Sequence, residues 1–122
     1  MARKKVWNFS PGETRDLAVS MASELDSGAS MTGETPSVSG HTKSGETYTE
    51  VATFTFANEQ INTGALTTED GETIAIGEGI AFRCTAPTTN GTYYLLSESD
   101  ADDGTHPKRW DKLIVSGPGP AS

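Results

Sequence analysis

This 122-residue sequence has a single cysteine, few apolar residues and little positive charge, and each shortage excludes a class of protein. Because Cys84 has no second cysteine to pair with, the chain is not a disulfide-stapled scaffold. No apolar run approaches the ~18 residues of a transmembrane helix, so we expect no membrane partner. The net charge is −8. An acidic chain repels phosphate backbones, so we expect no nucleic-acid partner either.

The few basic residues are concentrated at the N-terminus, where Arg3, Lys4 and Lys5 precede two aromatic residues, Trp7 and Phe9. A basic segment with apolar anchors suits docking on another protein, and residues 1–10 are therefore predicted to be a partner-binding arm. The alternative is that both rings pack back on the domain's own core. No apolar secretion signal follows the basic residues, so we expect assembly in a cytoplasm.

Apolar residues alternate with polar ones along most of the chain, and no segment shows a sustained helical period, which predicts an all-β fold. Leu17, Val19 and Met21 give one clear alternation, and Ile80, Phe82 and Cys84 give another. The predicted strands are Thr14–Ser23, Thr47–Ala57, Ile61–Leu66, Thr73–Ile76, Ile80–Thr85, Thr92–Ser99 and Arg109–Ser116.

Turn-forming residues separate these strands every 8 to 12 residues, which is typical of an antiparallel two-layer β-sandwich of the immunoglobulin-like kind. A small β-barrel is the alternative. The sandwich domain is expected to span residues 11–116, followed by a flexible tail at 117–122. Residues 24–45 are Ser-, Thr- and Gly-rich and predict a long loop or a weak edge strand, whereas Asn90-Gly91 predicts a hairpin.

No constellation in the sequence indicates catalysis, a metal or a cofactor, so we expect a protein that is not an enzyme. The acidic run Asp100–Gly104 does not fit the spacing of an EF-hand and is interpreted as a solvated turn, with a calcium site as the alternative. His41 and His106 lie in polar segments without zinc-ligand spacing. Gly77-Glu78-Gly79 carries a carboxylate where a phosphate-binding loop would have none.

Four segments together resemble small virion proteins of tailed bacteriophages of the fiber–tail adaptor type. They are Phe9–Leu17, the acidic-Gly element Leu25–Gly28, the segment Thr89–Leu95 and the closing Leu113–Val115. The resemblance implies a phage particle component with an immunoglobulin-like fold, either at the tail junction or on the capsid exterior as a decoration or cement protein. Its expected location is the virion, and its expected partners are major capsid or tail proteins.

The lean core and the aromatic residues give two hypotheses for function. The first is a structural virion module that binds other virion proteins through the arm and Trp110 and that associates with its own copies, for example as a trimer. The second is a module that binds carbohydrate or a host surface by stacking sugar rings on Tyr93, Tyr94 and Trp110.

Overall fold

A computed structural model describes residues 6–25, 29–32, 36–68 and 71–117, and these residues form ten strands and one short 3₁₀ helix. Residues 26–28 of the acidic-Gly element and residues 118–122 of the predicted tail lie outside this description. The strands are β1 Val6–Phe9, β2 Thr14–Ser20, β3 Ser37–Ser44, β4 Thr47–Glu50, β5 Thr55–Ile61, β6 Leu66–Thr67, β7 Thr73–Ile74, β8 Gly79–Thr85, β9 Gly91–Glu98 and β10 Lys108–Val115; the helix is Ala22–Glu24.

The strands build two packed sheets, which confirms the predicted β-sandwich. One sheet has five strands in the order β1-β10-β9-β3-β4, the other has three in the order β2-β8-β5, and β6 and β7 form a separate small hairpin. All pairs are antiparallel except β1 with β10, which is parallel. Both sheets have open edges in the described residues, so the barrel alternative is wrong. The order matches the B-E-D and G-F-C-C′ sheets of immunoglobulin domains.

The core lies between the sheets and is filled by the inward-facing residues of the alternating strands. Ile80, Phe82 and Cys84 of β8 are almost fully buried, and β8 is the central strand of its sheet. Leu95 and Leu113 face them from the other sheet, and burying such a side chain stabilises a fold by about 1.5–3 kcal/mol. Desolvation raises the pKa of the Cys84 thiol to about 12, so the residue acts as a small apolar core group.

The Asn90-Gly91 pair does not form a hairpin, because the strands on either side of it belong to different sheets. Residues 86–90 carry the chain from β8 across to β9. Tyr93 fixes this crossing, since its hydroxyl donates a 2.8 Å hydrogen bond to the carbonyl oxygen of Thr89. A tyrosine that bonds back to the preceding corner in this way is a hallmark of immunoglobulin-like sandwiches.

The region predicted as a long loop or weak edge strand contains β3, which lies inside the five-stranded sheet between β9 and β4. The prediction was wrong because β3 has few apolar residues of its own. Val38 and Gly40 both face the core, and the ring of Phe54 occupies the space beside Gly40, where a Cβ would lie 2.2 Å from Cδ2. A side chain distant in sequence thus supplies the packing that β3 lacks.

The single strand predicted over Thr47–Ala57 is also wrong, because the chain leaves the sheet after Glu50 and enters the other sheet at Thr55. The crossing buries Phe54, whose ring packs against Phe56 and Tyr93. β5 then carries a bulge between Ala57 and Gln60, where Asn58 has a positive φ of 58°. Asparagine tolerates this conformation better than most residues with a side chain.

Polar residues also occupy inward positions on β10, where Arg109 and Asp111 are 3% and 2% exposed. The Arg109 Nε lies 2.9 Å from the Asp111 carboxylate. The Arg109 Nη1 donates a hydrogen bond of 2.5 Å to the carbonyl oxygen of Ser20 on β2, in the opposite sheet. Because a buried guanidinium needs a counter-charge and hydrogen-bond acceptors, this pair is a polar tie between the two layers.

Candidate binding face

Four aromatic side chains gather on the outer face of the five-stranded sheet. Their side chains point outward because each alternates with a core residue or pairs with an outward neighbour; Tyr94, for example, lies between the buried Tyr93 and Leu95. The four are His41 on β3, Tyr48 on β4, Tyr94 on β9 and Trp110 on β10, and we call this surface the aromatic face.

The rings of the aromatic face contact one another across the width of the sheet. Tyr48 stacks on Trp110 with ring centroids 4.1 Å apart and an interplanar angle of 19°. His41 meets Trp110 edge-on at 5.0 Å, and Tyr94 meets Tyr48 edge-on at 5.7 Å. Such pairs are worth about 0.5–1.5 kcal/mol beyond their burial, so the ring contacts stabilise this arrangement of the cluster. The contact between Tyr48 on β4 and Trp110 on β10 reaches across the two intervening strands, β9 and β3.

A tight hairpin between β3 and β4 places Tyr48 in this cluster. Ser44 pairs with Thr47, and Gly45 takes the first central position of the turn with a φ of 61°, which suits glycine and a type II′ turn. The register sets Tyr48 opposite Lys43. The Lys43 ammonium lies 5.4 Å from the centroid of the Tyr48 ring and 6.0 Å from that of Tyr94, within the range of cation–π attraction.

The aromatic face also differs from the rest of the described surface in charge. Six Lys and Arg side chains lie in the described ranges, and four of them have a carboxylate within 4.0 Å: Arg15, Arg83, Lys108 and Arg109. Only Lys43 and Lys112 have no such partner among the described residues, and both point outward from the five-stranded sheet. The face therefore carries two lysines that have no ion-pair partner among the described residues, on a protein that is acidic as a whole.

The residues that the sequence predicts to bind a partner do not lie together on one surface. Trp110 lies in the aromatic face, half-buried by its neighbours. Phe9 is buried and Trp7 is half-buried, and both pack against the domain's own core, which is the alternative that the sequence left open. They belong to β1, so this part of the predicted arm is a sheet strand. Arg3, Lys4 and Lys5 lie outside the described residues.

Two members of the face were not found by sequence reasoning. The sequence predicts that His41 lies in the loop or weak edge strand of residues 24–45. It also predicts that Tyr48 lies in a single strand over Thr47–Ala57, on the same face as Phe54 and Phe56. Of the residues proposed to stack on sugar rings, Tyr94 and Trp110 point outward, whereas Tyr93 is buried in the core. Tyr48 stands between Thr47 and Thr49, and this alternation indicates that its ring lies on one side of a strand. The alternation does not indicate which sheet contains that strand.

The acidic turn between β9 and β10 uses its carboxylates internally. His106 Nδ1 lies 2.8 Å from an oxygen of Asp100, and Nε2 lies 3.1 Å from an oxygen of Glu98. Both hydrogen bonds raise the pKa of the imidazole, and the bond to Asp100 has the larger effect. Asp102 accepts the backbone N–H of Ser30 at 3.1 Å. Within the described ranges, no three His, Cys, Asp or Glu side chains are placed to hold a metal ion.

A shallow depression of about 170 Å³ lies beside β5 and β6, but the polar side chain of Asn62, which lines it, already forms hydrogen bonds within the protein. The Asn62 amide donates to the carbonyl oxygens of Gly64 and Ala75, and its oxygen accepts the N–H groups of Gly77 and Gly79. The asparagine therefore joins two turns, and the aromatic face remains the stronger candidate site.

The chain matches no family model, no curated protein and no solved structure. Across the described residues, no helix is long and apolar enough to cross a membrane. The class of the protein therefore follows from the fold: an immunoglobulin-like β-sandwich whose five-stranded sheet carries an aromatic, lysine-bearing outer face.

Proposed function

We propose that the protein is a non-enzymatic structural component of a bacteriophage virion, which binds another virion protein as a capsid decoration or tail-adaptor module through the aromatic face. The observation that carries the binding role is the cluster of contacting rings, Tyr48, Tyr94 and Trp110, on an outer sheet surface. Tyrosine and tryptophan are enriched among the residues that dominate binding energy in protein interfaces. The virion assignment rests on the sequence resemblance.

The arrangement of the rings favours a protein partner over a sugar. A sugar stacks on an open ring face, but Tyr48 places one face against Trp110 and has the Lys43 ammonium close to its ring. The half-buried Leu96 and Ile114 extend the apolar surface along the same side of β9 and β10. A surface of packed aromatic and aliphatic groups fits the core of a protein interface, in which each partner buries ~800 Å².

Binding of carbohydrate or a host surface is the second candidate, because Tyr94 and Trp110 do point outward. A sugar would have to stack on a part of a ring face that Tyr48 and His41 do not cover. A glycan array probed with the purified protein tests this candidate directly. A saccharide signal that Trp110→Ala abolishes, without any binding to particles, would replace the virion proposal.

Co-sedimentation with particles tests the proposal itself. The full chain is mixed with preassembled capsids and, separately, with tail complexes of the phage that encodes it. We expect binding to one of the two, weakened about 30-fold or more by Trp110→Ala, since a central interface tryptophan is typically worth 2 kcal/mol or more. Arg83→Ala is the matched control, because Arg83 lies exposed on the other sheet. Equal binding by the Trp110 variant would refute the use of the aromatic face.

The predicted arm is tested by a separate truncation in the same assay. The deletion is limited to residues 1–5, because Phe9 is part of the core and its removal would disturb the fold. Weaker particle binding by this truncated chain would assign a role to Arg3, Lys4 and Lys5, whereas full binding would remove the basic segment from the interaction.

A further inference from the structure

We infer that the occupant of the aromatic face is an acidic protein segment, whose carboxylates pair with Lys43 and Lys112 while its apolar groups contact the rings. The inference rests on the proposed function, because it names the chemistry of the partner at the same face. It is carried by the position of the two lysines that no described carboxylate neutralises.

The two lysines lie on either side of Tyr94. Lys112 of β10 is the cross-strand partner of Tyr94, and on the far side of β9 the Lys43 ammonium lies 6.0 Å from the Tyr94 ring. Both side chains are exposed. An extended segment crossing Tyr94 would therefore meet one ammonium group on each side of that ring.

The carboxylates near this face leave the lysines unpaired. Glu98 points outward from β9 but is held by His106 and by Lys108 at 3.9 Å, beyond the Trp110 end of the face. Glu50 lies on the edge strand β4 opposite His41, and its carboxylate is not within ion-pair distance of a described cation. Among the described residues, the strands of the face therefore carry two unpaired ammonium groups against one unpaired carboxylate, and the exposed Glu46 lies next to these strands in the turn between β3 and β4.

The rest of the chain strengthens this selectivity. With a net charge of −8, the protein repels an acidic partner from most of its surface, so the two unpaired lysines make the aromatic face the favourable place of contact. The basic segment of the sequence ends at Lys5, immediately before Val6, and Val6 pairs in register with Lys112. The chain thus enters the sheet at the same edge of the face, directly after three basic residues.

An NMR titration of the ¹⁵N-labelled full chain tests the inference, with hexaglutamate as the probe and hexalysine as the opposite-charge control. We expect hexaglutamate to shift the amide signals of β3, β4, β9 and β10, and raising the salt from ~50 mM to ~300 mM to weaken the effect. Each of Lys43→Gln and Lys112→Gln should weaken binding by about 1.5- to 5-fold, the usual range for an exposed ion pair. Arg83→Gln removes one charge from the other sheet and should leave the affinity unchanged.

The outcomes separate the inference from the proposed function. Shifts that map to the three-stranded sheet, or an affinity that Lys112→Gln leaves intact, would refute the acidic occupant even if Trp110→Ala still abolishes particle binding. A ten-nucleotide thymidine oligonucleotide that binds the two lysines more tightly than hexaglutamate would also refute it, in favour of a phosphate-bearing partner. Conversely, full particle binding by Trp110→Ala would overturn the proposed use of the aromatic face in particle binding, whatever the peptide does.

Discussion

Replacing Gly40 by alanine should lower the free energy of unfolding by about 1–3 kcal/mol, the usual cost of overpacking a core. An added Cβ would lie 2.2 Å from Cδ2 and 2.6 Å from Cε2 of the Phe54 ring. Carbon atoms pack at ~3.5 Å or more, so the ring would have to retreat by about 1.3 Å. That retreat is opposed by Phe56, stacked at 5.5 Å, and by Tyr93, edge-on at 5.3 Å.

Urea unfolding followed by tryptophan fluorescence measures this cost against a matched glycine. Gly64 has no heavy atom within 4 Å of a built Cβ and no positive φ, so Gly64→Ala should change the free energy of unfolding by less than ~1 kcal/mol. In a double-mutant cycle, Phe54→Leu should make Gly40→Ala less costly, because the smaller side chain vacates the contested space. Equal effects of the two alanine substitutions, or strictly additive effects of Gly40→Ala and Phe54→Leu, would contradict the packing argument.

Two further changes test individual polar contacts. Tyr93→Phe removes the hydroxyl that bonds to Thr89 and should lower the free energy of unfolding by about 0.5–1.5 kcal/mol in the same urea assay; no change would show that the corner does not depend on this bond. His106→Gln removes a ring whose pKa is raised by Asp100 and then Glu98, so the protonated ring stabilises the fold. The substitution should therefore lower the free energy of unfolding by its full amount below about pH 6.5, the pKa of histidine in the unfolded chain. This loss should disappear as the pH rises through the higher pKa of His106 in the folded protein. Thermal melts that show the same loss at about pH 5.5 and about pH 8.5 would refute it.

The strands with their own apolar alternation were predictable, whereas the strand packed by a distant ring was not. Ile80, Phe82 and Cys84 identify β8 in the sequence, and all three are core residues. β3 contributes Val38 and a glycine to the core, because Phe54 fills the space beside it. The break between β4 and β5 could not be seen in the sequence, because the alternation of apolar and polar residues continues through residues 51–54. Only the burial of Phe54 between the sheets shows where the chain passes from one sheet to the other.

The candidate site was predictable in part, and the missing part follows from that hidden break. Trp110 was identified because it stands among basic residues near the start of the last strand. Tyr48 was assigned to the same face as Phe54, but the change of layer sends Phe54 inward and leaves Tyr48 on the outer surface beside Trp110. The pair Arg109 and Asp111 escaped notice because charged residues two positions apart on a strand usually indicate a solvated side, not a buried one.

The bulge in β5 affects how readily this domain can pair with the strand of a neighbouring chain. β5 is an open edge of the three-stranded sheet, and a regular edge offers a template on which a neighbouring chain can add a strand. The register shift between Ala57 and Gln60, with Asn58 in a left-handed conformation, interrupts that template midway along the edge. Lateral fusion of sheets into a continuous ribbon is thereby discouraged on this side, so the domain resists aggregation through that edge.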